Sequence, residues 1–160
     1  MKRLVLLVLV FAACGGDPVN TAGNYTVGVT NRDNGCMVAN WTVGAMSSNI
    51  GVDITQSGGS ATATITGLAQ ITLDLALGGH AFSGTVDGDQ LDLTLLGTRP
   101  QTMGNCTYTL DGEIIATSTG ELITGRINYK AATNNHPDCT TMNIQGCVTY
   151  QDFNGSRPPQ

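Results

Sequence analysis

The sequence predicts an all-β domain whose antiparallel strands form an up-and-down, barrel-like meander, with a β-sandwich as the alternative. Apolar and polar side chains alternate in five segments, which is the pattern of strands with one buried and one wet face. Short turns rich in Gly and Asp separate these segments. After the first 13 residues no apolar stripe repeats every 3.6 residues, so almost no helix is expected.

The alternating segments are 25–30, 50–55, 61–66, 71–77 and 91–96. Turns are predicted at 57–60, 77–80, 87–89 and 119–121, where Gly-Gly and Asp-Gly supply the positive φ angles of tight hairpins. Consecutive hairpins build a meander most simply, so neighbouring strands should pair throughout a β domain of residues 23–153. Residues 154–160 contain no aliphatic side chain and are expected to fray.

The N-terminus has the three parts of a cleaved signal peptide, residues 1–13. Lys2 and Arg3 precede an apolar run of 4–13, which is shorter than the about 20 residues that a membrane-spanning helix needs. Cys14 follows directly, and 14–22 read as a flexible tether because glycines and a proline come next.

The segment Phe11-Ala12-Ala13-Cys14 resembles a lipobox, the cleavage motif of bacterial lipoproteins. Its two alanines match that family, whereas Phe11 stands where leucine is usual. The resemblance implies that Cys14 carries a diacylglycerol thioether and an N-linked chain such as palmitate, because stable anchoring needs more than one chain. It also implies the outer membrane, since Gly15 replaces the Asp that favours inner-membrane retention in enteric relatives.

Five cysteines are present, and assigning Cys14 to lipid leaves an even number. In an exported chain these four predict two disulfides. The pairing that the sequence favours is Cys139–Cys147 with Cys36–Cys106. No cysteine pair has the two-to-four-residue spacing of zinc sites, so no metal is expected.

Charge excludes one class of partner. The chain contains 7 Lys and Arg against 12 Asp and Glu, and loss of Lys2 and Arg3 makes the balance more acidic. An acidic domain without a basic stripe does not suit nucleic acid. Attachment to a bilayer is therefore expected through the acyl chains on Cys14 and not through charge.

No catalytic set is recognisable, and no catalytic residue or cofactor is predicted. His80 and His136 fall in turns, and Asp87, Asp89 and Asp92 around one hairpin are typical of a solvated turn rather than a calcium loop. Trp41, on an apparent strand, is the one weak candidate for stacking on a ligand, although a lone Trp in a small β domain is more often core.

The whole chain is similar to small Gly- and Thr-rich lipoproteins of Gram-negative, especially myxobacterial, bacteria. The similarity rests on the segment 11–17 and the late cysteines. The leading expectation is a non-catalytic envelope module that binds a small apolar ligand, a glycan or an envelope protein. A structural or surface-coat lipoprotein and an envelope hydrolase are the alternatives; the hydrolase requires acids or histidines that converge in one cleft.

Overall fold

The computed structural model describes residues 17–159, which contain nine strands and two short helices. The predicted signal peptide and Cys14 lie outside the described residues. The elements are β1 Gly23–Asn34, β2 Met46–Ser57, β3 Ser60–Thr66, α1 Leu68–Ala76, β4 Ala81–Asp87, β5 Gln90–Leu95, β6 Gln101–Met103, β7 Cys106–Ser118, β8 Leu122–Thr133, α2 Pro137–Thr141 and β9 Val148–Ser156.

Eight of these strands form a closed antiparallel barrel, which confirms the predicted all-β meander. Strands β1 to β5 pair in sequence, β5 pairs with β7, β7 to β9 follow, and β9 pairs with β1. The short strand β6 pairs with β7 alone and lies outside the ring. Closure leaves no edge strand in the ring, so every barrel strand has a hydrogen-bonded neighbour on each side.

The interior is filled by alternate residues of the strands, as the period-two segments predicted. Tyr25, Val27 and Val29 on β1 are buried, and Leu91 and Leu93 on β5 are 1% exposed. Phe82 on β4 is fully buried. The Phe82 ring lies over Gly112 of β7, where an added Cβ would stand 2.6 Å from the ring atom Cε1.

Segment 71–77, predicted as a strand, is instead helix α1. Ala69, Leu73 and Ala76 face the core at helical spacing, while the opposite face is also apolar. Because apolar residues lie on both faces of the helix, the sequence of this segment also alternates as a strand would. Its Ala, Leu and Gln residues are good helix formers and favour the helix. Gly78 ends it at φ 88°, with its N–H donating to the Asp74 carbonyl at 3.1 Å.

The barrel has two unlike ends. We call one the turn end: it contains the tight turns 58–59, 88–89 and 119–121. We call the other the loop end: it contains the longer connections 35–45, 67–80, 96–105 and 134–147, with both helices.

The chain on both sides of the barrel makes contacts at the turn end. The N–H of Val19 donates to the Gly88 carbonyl at 2.8 Å. Thr21 is fully buried and donates through N–H and hydroxyl to Gln56 Oε1, each at 2.7 Å. Strand β9 continues to Ser156, and Arg157 is buried. Val19, Thr21 and Arg157 therefore attach the chain to the turn end, whereas Asp17, Pro18, Pro158 and Pro159 are exposed.

Both disulfides lie at the loop end, but the favoured pairing was wrong. Cys36 bonds to Cys147, and Cys106 to Cys139. Barrel closure explains the first: Asn34 of β1 is opposite Thr149 of β9, so Cys36, two residues further along, is opposite Cys147. Cys139 lies in α2, which packs on β7 and points this thiol at Cys106.

Peptide mapping of the unreduced protein should give two crosslinked species, one joining Cys36 to Cys147 and the other Cys106 to Cys139. Replacing Cys106 and Cys139 together by Ser should lower the free energy of unfolding by about 2–4 kcal/mol, because the 33-residue connection is no longer restrained in the unfolded chain. Recovery of a Cys139–Cys147 peptide would contradict the β1–β9 register.

Gly112→Ala should destabilise the protein by about 1–3 kcal/mol, since the new Cβ would overlap the enclosed Phe82 ring. Gly28→Ala on β1 is the matched control: the nearest atoms to its added Cβ are 3.7 and 3.8 Å away, so its unfolding midpoint should stay or rise slightly. Urea titration of both variants distinguishes them. Equal midpoints would show that the barrel interior is loosely filled.

Candidate binding surface

Exposed apolar side chains are concentrated at the loop end. Of the eleven large apolar side chains that are exposed among the described residues, nine lie there, one on the barrel wall and one at the turn end. The nine are Met37, Val43, Met46, Leu68, Ile71, Leu75, Leu96, Met103 and Val148. Single exposed apolar residues are normal on a soluble domain, whereas such a group at one end indicates an interaction surface.

The most regular part of this group is on α1. Leu68, Ile71 and Leu75 are spaced by three and four residues, and so they share one face of the helix, which we call the apolar stripe. Their exposed fractions are 85%, 55% and 64%. The opposite face of α1 packs on the barrel, so the helix is apolar on its outer side as well.

The connection after β5 continues the apolar stripe. The N–H of Thr98 donates to the Leu77 carbonyl at 2.7 Å, and Arg99 Nε donates to the Leu75 carbonyl at 3.4 Å. These contacts hold the 96–99 segment against the C-terminal end of α1. Leu96, at the start of this segment, is 71% exposed, and Arg99 supplies a positive charge beside α1.

Trp41 lies in the loop between β1 and β2 and not on a strand as the sequence indicated. Its Nε1 donates to the Arg32 carbonyl at 2.7 Å, and its ring meets Tyr129 edge-on at 6.2 Å between centroids. The ring is half-buried against the core. Trp41 therefore helps to cover the loop end of the barrel, and its N–H is already used.

Two carboxyl groups on the outer wall of the barrel have cationic partners. Asp152 accepts from Arg126 at 2.9 Å and Arg32 at 2.7 Å on the outer wall, and these two guanidinium groups lower its pKa. On the same wall, Glu113 Oε2 lies 2.7 Å from Lys130 Nζ. Lys130 and Asn128 both donate hydrogen bonds to Glu113 and lower its pKa. Each carboxyl is held ionised by its own donors, whereas a general acid needs a raised pKa.

The two histidines have local roles and are only partly exposed. His80 Nδ1 is 2.7 Å from Asp74 Oδ1 and links the start of β4 to α1. His136 precedes α2, and its Nδ1 accepts from the Asp138 N–H at 3.2 Å as a helix cap. Within residues 17–159, the hydrogen bonds of the two rings are to Asp74 and to the Asp138 N–H.

Two depressions lie on the surface of the described chain. One of about 440 Å³ lies over β2, β3 and β4, and one of about 330 Å³ lies beside Gly23 and Arg157; both are open to solvent. From Asp17 to Pro159, no three His, Cys, Asp or Glu side chains come together as a metal site. Neither helix of that region has the length and apolar character required to cross a bilayer.

Comparison with known proteins adds no relative. No family, curated protein or solved structure matches this chain significantly. The geometry of the chain itself must therefore carry any functional argument. Sequence reasoning missed the apolar stripe, although the spacing of Leu68, Ile71 and Leu75 was a signal that could have revealed it.

The apolar stripe should contribute little to stability. Leu75→Ser is expected to change the free energy of unfolding by no more than about 0.5 kcal/mol, because this side chain is 64% exposed. Leu77→Ala, two residues away and 1% exposed, should cost about 2–5 kcal/mol. Thermal or urea unfolding measures both. A large loss with Leu75→Ser would mean that the stripe is part of the core.

Proposed function

We propose that this protein is a lipid-anchored module of the bacterial cell envelope, without catalytic activity, whose loop end binds another envelope protein. The observation that carries the proposal is that nine of eleven exposed large apolar side chains lie at the end opposite the N-terminal segment. Cys14 is the anchoring residue, and Gly15 after it favours the outer membrane.

The position of the N-terminal segment gives the module its orientation. Val19 is hydrogen-bonded at the turn end and is the fifth residue after Cys14. A chain of that length reaches at most about 18 Å. Acyl chains on Cys14 therefore keep the turn end close to the bilayer, and the loop end points away from it.

The chemistry of the exposed side chains favours a protein as partner. All eleven are Leu, Ile, Val or Met. Glycans are usually bound by flat aromatic rings, but Trp41 is half-buried with its N–H occupied, and Arg126 covers the Tyr150 ring at 4.1 Å. The filled interior disfavours a small apolar ligand inside the barrel. An apolar surface of a second protein suits the stripe, and Arg99 suits an acidic residue beside it.

Two measurements test the proposal. Mass spectrometry of the membrane-associated protein should find an acylated Cys14 as the N-terminus, and Cys14→Ala should leave the protein unacylated. A photoreactive phenylalanine analogue replacing Ile71 should yield a discrete adduct with one envelope protein. The same analogue replacing Asp89, exposed at the turn end, is the matched control and should not yield that adduct.

The captured partner should then bind the purified wild-type protein, and Leu75→Ser should weaken this binding by about tenfold or more, since burial of a Leu side chain contributes about 1.5–3 kcal/mol. Leu122→Ser, which removes an exposed Leu at the turn end, should bind normally. Adducts formed only from position 89 would contradict the proposed orientation. Adducts between copies of this chain would favour a surface-coat role instead.

A further inference from the structure

A single buried arginine joins the two termini of the domain at the turn end. Arg157, just after β9, is 8% exposed. Its Nε donates to the Gly120 carbonyl, and its Nη2 donates to the Asn20 carbonyl at 2.9 Å. The guanidinium carbon is 5.6 Å from the centre of the Tyr25 ring, whose hydroxyl also donates to Gly120.

This charge has no described counter-ion. Arg32, Arg126 and Lys130 each pair with a carboxylate, but no carboxylate of residues 17–159 pairs with Arg157. Its Nη1 is buried and has no hydrogen-bond partner. A guanidinium group stays protonated at any physiological pH, and a buried charge without a partner anion is costly. Arg157 Nη1 therefore lacks a hydrogen-bond acceptor, and the guanidinium lacks a negatively charged partner among the described residues.

A depression of about 330 Å³ lies beside Arg157 and the two prolines that follow it. Arg157, Pro158 and Pro159 line it on one side, and Gly23 and Asn24 on the other. The β1–β9 ladder reaches Thr26 and Ser156 and stops, because proline has no N–H to continue it. The edge of β1 at Gly23 and Asn24 therefore faces the depression and not a strand.

We propose that this depression binds the phosphodiester of a phospholipid headgroup, with Arg157 as the donor at its base. An oxygen of the anion accepts from Nη1 after the exposed Pro158–Pro159 segment moves aside. A singly charged oxyanion fits, since Asp17, Asp87, Asp89 and Glu121 are exposed at the turn end and oppose a doubly charged one. That the phosphodiester comes from a lipid headgroup rests on the proposed anchor, which keeps the turn end at the bilayer. That the site binds a phosphodiester does not depend on the anchor.

The test uses the full chain, labelled with ¹⁵N and solubilised in a neutral maltoside detergent. Glycerophosphoglycerol, a soluble phosphodiester, should shift the Arg157 Nε–H resonance and the Gly23 and Asn24 amides in a saturable way, and sodium chloride should not. Dihexanoyl phosphatidylglycerol below its micelle concentration should shift the same resonances. Shifts with the soluble diester alone would overturn the headgroup as the source. No saturable shift at Arg157 would overturn the site.

A pair of variants adds a second readout. Arg157→Lys keeps the charge but loses the forked donors, and binding should weaken by about tenfold or more. Arg99→Lys, at the loop end, should bind as the wild type does. If Arg157→Lys does not fold, the wild-type titration alone still decides the matter. Absence of lipid on Cys14 would defeat the proposed function but would leave the soluble-diester result unchanged.

Discussion

The pairing of the first strand with the last is the constraint on which the rest of the molecule depends. Because β1 and β9 align from Thr26–Ser156 to Asn34–Thr149, both termini emerge at the turn end. The same register brings Cys36 and Cys147 together at the loop end. Closure also encloses the alternate side chains of eight strands, and α1 adds Ala69, Leu73 and Ala76 to the core that they form.

Local pattern located four of the nine described strands, β1, β2, β3 and β5, and nonlocal geometry was needed for most of what the sequence analysis missed. Alternation in 25–30 or 91–96 reports directly which residues face inward. The partner of Cys36 depends on a register between segments more than a hundred residues apart, which no local pattern contains. Helix α1 was missed for a different reason: with Leu68, Ile71 and Leu75 outside and Leu73 inside, apolar residues satisfy both periodicities.

The two ends differ in chemistry as well as in shape. The turn end has exposed acids and the buried Arg157, and its connections are short hairpins held to the N-terminal segment by Val19 and Thr21. The loop end has long connections, which would be mobile on their own, and both disulfides lie among them. These covalent links restrain the loop end before any partner arrives, and this reduces the ordering entropy that binding would otherwise cost.

Stability alone gives no reason for the apolar stripe. A helix that packs through Ala69, Leu73 and Ala76 would form as readily with Gln or Lys at the outer positions, because these residues are about as good helix formers as Leu. Leu at a position that is 85% exposed gains almost no burial on folding and increases the tendency to associate nonspecifically. The stripe therefore gains its favourable free energy only when another surface covers it, and under the proposed anchoring through Cys14 the loop end is where such a surface can approach.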